Sequence, residues 1–121
     1  MQTGCFKTSW NAPGAIRISR GPYRQKGKGG QPTYRQLWPP KWLFDGYMAG
    51  KVSEDEYIAV YNRQLAELPG GAQKVYDDLK VLGGGEAVLL CHCAPGAFCH
   101  RRLVAKWLEA KLGINVPERV V

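Results

Sequence analysis

Apolar positions along this chain change period several times, and each change predicts an element. Ala15-Ile16-Arg17-Ile18-Ser19 alternates apolar and polar residues, as a half-buried strand does. Ala87-Val88-Leu89-Leu90 is instead a continuous apolar run, the pattern of a strand buried on both faces, and predicts a strand over 86–91. Tyr57, Ile58, Tyr61, Leu65 and Leu68 recur at helical spacing. Ser53 is their N-cap, Glu54 and Asp55 favour the positive end of the helix dipole, and Glu56 completes a capping box. Pro69-Gly70-Gly71 stops that helix. A second helix, about 72–82, carries Val75, Tyr76, Leu79 and Leu82 and ends at Gly83-Gly84-Gly85. A third, about 98–112, presents Leu103, Val104, Trp107, Leu108 and Leu112 on one face, with Gly113 as its C-cap.

Weaker patterns predict a first strand over 2–8, a short helix over 41–49 and a last short strand over 114–121. Cys5, Tyr57 and Tyr61 are expected in the core, and Trp107 in helix packing. Strands alternating with helices predict one small α/β domain over residues 1–121. Its sheet is expected to be mostly parallel with flanking helices, Rossmann-like in three layers or in part. Ligands of such sheets bind at the carboxyl ends of the strands.

Residues 21–40 break every period. Gly21, Pro22, Gly27, Gly29, Gly30, Pro32, Pro39 and Pro40 predict a long structureless loop, which inside a compact domain usually has a function. Charge sharpens that expectation. Residues 1–52 carry nine Lys/Arg against one acid, while 53–121 carry eight against nine, so the net +7 belongs to the N-terminal part. From Arg17 to Lys41 there are seven basic residues, no acid, and interleaved Tyr23, Tyr34 and Trp38. Basic residues with exposed aromatics suit phosphates and stacked bases, so a nucleic-acid-binding module using 17–41 is one expectation; a solvated loop over core aromatics is the other. The start of the chain lacks a long apolar segment and no apolar run spans a bilayer, so a cytoplasmic protein with no membrane partner is expected. Its four cysteines are then expected to be reduced, metal-bound or reactive. Composition fixes no oligomeric state.

The chemistry gathers at one turn. Cys91, His92, Cys93, Cys99 and His100 lie where the predicted buried strand, 86–91, gives way to the last helix. Three readings fit. As a reactive thiol, Cys99 sits at a helix N-terminus beside His100, Arg101 and Arg102, where positive charge favours thiolate. It is then the more activated cysteine, His100 its partner base or positioner, and Cys91 its resolving partner or a small buried apolar residue. As a zinc site, Cys91, Cys93, Cys99 and His100 supply soft ligands, in a spacing unlike a paired Cys-x-x-Cys knuckle. As a phosphate cradle, His92-Cys93-Ala94-Pro95-Gly96-Ala97-Phe98 looks like the opening of the cysteine-phosphatase loop. Cys99, however, stands where that loop has its Arg, and the arginines come two residues late. A plain anion site at the helix N-terminus asks less, with Arg101 or Arg102 reaching it and the other facing solvent. Arg20 and Tyr23 line the same crevice if the two strands are neighbours.

Leu89-Leu90-Cys91, then Cys99-His100-Arg101, Leu103-Val104-Ala105 and Trp107-Leu108, together resemble the small subclade of the domain-of-unknown-function 488 family. Ile16-Arg17-Ile18-Ser19-Arg20-Gly21 is similar to that family's second strand, and Leu37–Pro39 and the Ser53–Tyr61 helix fit its layout. Members often carry an acid two positions after the strand cysteine; Cys93 stands there in this chain. The Cys-x-Cys…Cys-His pattern is also similar to a second family of unknown function, number 4326. These resemblances imply a fold and a site and name no activity. The expectation is therefore a thiol-based enzyme or ligand-binding domain for an anionic small molecule or nucleotide. Cys99, His100 and Cys91 are its reactive groups, with Arg101, Arg20, Cys93, Gly96 and Tyr23 around the ligand. It needs no cofactor unless the zinc reading holds.

Overall fold

The computed structural model describes residues 1–94 and 96–120. Pro95, within the predicted cradle, and Val121, at the end of the predicted last strand, lie outside the described residues. The elements run β1 (Gln2–Cys5), α1 (Phe6–Ser9), β2 (Ala15–Arg17), a 3-10 turn (Arg35–Leu37), α2 (Lys41–Met48), α3 (Glu54–Ala66), α4 (Gly71–Leu82), β3 (Val88–Cys91) and α5 (His100–Leu112). The sheet has the order β1-β3-β2. Both neighbours run parallel to β3, with Cys5 opposite Cys91 and Arg17 opposite Leu90. This is the small, open, Rossmann-like α/β sheet that the alternation of strands and helices predicts.

β3 is the middle strand, and all four of its residues are buried, which is why it reads as a continuous apolar run. Successive side chains leave a strand on opposite faces. Ile16, Ile18 and Leu89 join the larger core with Tyr61, Leu65, Val75, Leu79, Val104 and Leu108 from α3, α4 and α5. Val88, Leu90 and Ala15 meet Phe6 and Ala12 in a smaller cluster against which Tyr23 packs. One face is thus layered with long helices. Among the described residues the other is covered by the short α1 and nearby loop, so the third layer is partial.

Local signals hold where they were strongest. The Ser53 hydroxyl caps α3, accepting from the Glu56 amide at 3.1 Å and donating to the Glu56 carboxylate at 3.3 Å. Gly113 ends α5 with a φ of 67°, the left-handed conformation that glycine adopts without strain. Gly14 is required for a second reason. At φ 79° it accepts from the Val88 amide at 2.8 Å, and a Cβ there would run into the Glu86 carbonyl.

Three expectations change. The predicted first strand, 2–8, stops at Cys5 because the chain turns into α1, which buries Phe6 and Ser9. The predicted last strand is a tail bound to the sheet edge at one bridge, Thr3 with Glu118. Pro117 has no amide to extend that ladder. The segment 21–40 is not structureless. Thr33 bridges Arg17, the 3-10 turn follows, and Tyr34 and Leu37 are buried, so apolar anchors in its second half fasten it to the core.

Candidate functional site

A cavity of about 340 Å³ opens at the carboxyl ends of β2 and β3. β3 delivers Cys91 to its buried end, and α5 adds Cys99 and His100 from its first turn. The walls are aromatic. Phe98 meets Tyr57 edge-on at 5.2 Å between centroids and Tyr47 at 5.3 Å. Burial pushes the Tyr57 hydroxyl far up, so it stays a neutral phenol. The exposed rim holds Arg20, Lys41 and Phe44, with Asp45 paired to Lys41 at 2.5 Å.

Three sulfurs converge. Those of Cys91, Cys93 and Cys99 all lie within 4.8 Å of one another. The sulfurs of Cys91 and Cys99 are at disulfide distance, while their Cα atoms stand 7.8 Å apart. A disulfide spans roughly 7 Å at most without backbone movement. Cys93 is half-buried, and burial pushes its thiol up, with the charge of Arg101 acting the other way. The donor set suits zinc, since thiolates from three cysteines leave one tetrahedral position open. His100 does not join that set. It is buried, and its Nε2 lies 2.7 Å from the Ile18 carbonyl. A carbonyl only accepts, so Nε2 carries the proton and Nδ1 is left as an acceptor facing Cys99 Sγ at 3.6 Å. Burial lowers His100 to about 4, helped by the charge of Arg101 and opposed by the Ile18 hydrogen bond. At neutral pH the ring is uncharged, and its free Nδ1 faces Cys99 Sγ.

Arg101 is among the largest fully buried side chains. Its Nε donates to Glu118 Oε1 at 3.1 Å. One terminal nitrogen donates to Cys91 Sγ at 2.9 Å and the Cys93 carbonyl at 3.0 Å. The other donates to the Ala94 carbonyl at 3.2 Å and Glu118 Oε2 at 2.7 Å. A guanidinium has five N–H donors, and all five therefore end on protein atoms. The expected anion-holding role does not fit that geometry. The phosphatase-like cradle fails for the same reason, because the Cys93 and Ala94 carbonyls turn onto Arg101. Arg102 is not the solvent-facing member of the pair either. It donates to Thr3 Oγ1 at 2.8 Å and the Val116 carbonyl at 2.9 Å.

The cavity thus brings Cys91, Cys93, Cys99, His100 and Arg20 together. Tyr23 lies elsewhere, stacked on Phe6 at 5.1 Å, and Gly96 is exposed in the loop beyond the cavity lining. Sequence reasoning missed Glu118 and the α2 wall. Glu118 follows Arg101 by 17 residues with no shared motif. For α2, the exposed aromatic residues Trp42 and Phe44 beside Pro39-Pro40 are the signal that was available. A protein-family model described as the active DUF488-N3 subclade matches residues 14–112. It bears on the first of the two family resemblances and not on the second. No curated protein and no solved structure matches.

Proposed function

The chain belongs to the DUF488 family, in its active DUF488-N3 subclade, and we propose, from its site, that it is a thiol-based enzyme for a phosphate-bearing, nucleotide-like ligand. The observation that carries this reading is the Arg101 N–H donated to Cys91 Sγ at 2.9 Å, at the buried end of an aromatic-walled cavity. In the reduced protein a guanidinium donor and an adjacent S–H both favour a thiolate at Cys91. The reading therefore makes Cys91 the nucleophile, with Cys99 and His100 holding the nearby proton, and reverses the sequence expectation that Cys99 is the more activated. With the two cysteines reduced, the Cys91 electron pair would form the bond to the electrophilic atom as that atom's bond to the departing group breaks, and the Cys99 proton is the one at hand for that group. Tyr47, Tyr57 and Phe98 offer faces for a base, and Arg20 a cation for a phosphate.

Alkylation of the reduced, metal-free protein by iodoacetamide, mapped by mass spectrometry across pH, tests the proposal. Cys91 should react first, with a midpoint below that of a free cysteine. Arg101→Lys should raise the midpoint, and 5′-mononucleotides should slow the reaction. Equal, slow labelling of every cysteine would remove the proposal. The convergence of three sulfurs within 4.8 Å favours one second reading, a zinc-stapled loop. Native mass spectrometry of protein purified anaerobically without added metal decides between them. A retained zinc mass supports the staple, and a metal-free mass the thiol.

A further inference from the structure

We infer that the ligand is one nucleotide of a single-stranded nucleic acid, whose neighbouring nucleotides lie on a basic, aromatic track leading to the cavity rim. The inference rests on the proposed function and names its substrate class. The track is centred on Trp38. Its indole N–H is fixed by Thr33 Oγ1 at 2.9 Å. Around that one ring stand the guanidinium carbons of Arg17, Arg20 and Arg35, at 5.1, 5.5 and 5.3 Å from its centroid. Among the described residues none of the three pairs with a carboxylate, and from Arg17 to Lys41 the chain holds no acid. Three like charges gathered on one ring repel each other, and a polyanion relieves that repulsion.

The cluster is continuous with the site. Arg20 belongs to both, reaching over Trp38, donating to the Pro39 carbonyl at 3.4 Å and lining the cavity. The next turn of chain, α2, exposes Trp42 at 60% and Phe44 at 47% of their surface, and Phe44 lines the rim. Exposed rings beside a cationic groove are how sequence-tolerant single-strand binders hold bases and backbone together. A free mononucleotide filling the cavity would leave Arg17, Arg35 and Trp42 without a partner. A duplex would hide the base faces that the rings need.

The test compares dye-labelled dT12 and rU12, a 12-base-pair duplex and free 5′-mononucleotides, using the intact chain. Fluorescence anisotropy reads oligomer affinity, and slowed alkylation of Cys91 reads cavity occupancy. The single strands should bind about tenfold or more tighter than mononucleotides and the duplex. With three phosphate contacts, affinity should fall about 30-fold between ~50 and ~250 mM salt. Trp42→Ala with Arg35→Ala should weaken the oligomers about tenfold while leaving mononucleotide protection unchanged. Circular dichroism of that variant checks its fold, and Arg35→Glu alone provides a second test by charge reversal. A preference between dT12 and rU12 separates DNA from RNA as the source. Mononucleotide protection without tighter oligomer binding overturns the track and leaves the pocket reading intact. Tight, variant-sensitive oligomer binding that leaves Cys91 alkylation unchanged supports the surface and overturns the pocket reading. No binding by either probe overturns both.

Discussion

Arg101 and the Arg17–Arg20–Arg35 cluster use the same side chain in opposite ways. Arg101 is fully buried, and its donors close on Glu118, Cys91 and two loop carbonyls. The three arginines at Trp38 stack on an indole and pair with no carboxylate among the described residues. A buried cation must have every donor met, because the interior offers no water to do so. It therefore organises a site and leaves nothing over for a ligand. A cation on an aromatic face keeps free N–H groups and is held in place at little desolvation cost. The contrast teaches that the charge nearest the cysteines shapes the thiols, while the charge farther out is the part free to meet an anion.

Removing Arg101 should break the comparison most. Arg101→Ala takes the buried cation away from the Glu118 carboxylate and from the Cys93 and Ala94 carbonyls, leaving Thr3 on Glu118 and the Ala97 amide on Ala94, and should cost about 3–5 kcal/mol in urea unfolding. A cost under about 1 kcal/mol would mean that Arg101 is not the organiser. Acid should come next. His100 is neutral and buried with a folded value of about 4, below its ordinary 6.5. Between those values the unfolded chain binds the proton and the folded one does not. Stability is therefore held above pH 6.5 and falls as pH drops toward 4, by about 3 kcal/mol in all. Glu118, held low by Arg101 and Thr3 against the upward pull of burial, loses its contribution in the same direction as pH falls below its ordinary range. His100→Gln should flatten the upper part of that curve, and an unchanged slope would shift the cause to other groups.

The exposed region should respond far less. Trp38→Ala removes the shared cation–π platform and the bond to Thr33, for about 1–2 kcal/mol of stability by thermal unfolding. Arg35→Ala should stay within about 0.5 kcal/mol, as surface changes usually do, while still weakening dT12. If Arg35→Ala destabilises as much as Arg101→Ala, the two regions are not of different kinds.

Much of this was legible because it is local. The Ser53 cap, the Tyr57, Tyr61 and Leu65 stripe and the Leu103, Val104 and Leu108 face are set by neighbours three or four residues away. The Cys91–His100 cluster was legible too, since strand end and helix start bracket it. Less was legible where two local signals met distant ones. Phe6 joins α1 rather than a longer strand because its ring is buried in the smaller core. The tail over residues 114–120 is placed by Arg102, Thr3 and the Arg101–Glu118 pair rather than by its own pattern.

By itself the sequence determined the alternation of elements, the buried central strand, the place of the cysteine cluster and the one-sided positive charge. All of these depend on periodicity and residue type within short windows. Only the tertiary structure decided which arginine is buried, which cysteine it touches and which wall closes the cavity. Those outcomes join atoms far apart in sequence, such as His100 with Ile18 across 82 residues and Tyr61 with Leu37 across 24. No short window contains both partners, so packing and the need to satisfy buried polar groups make the choice.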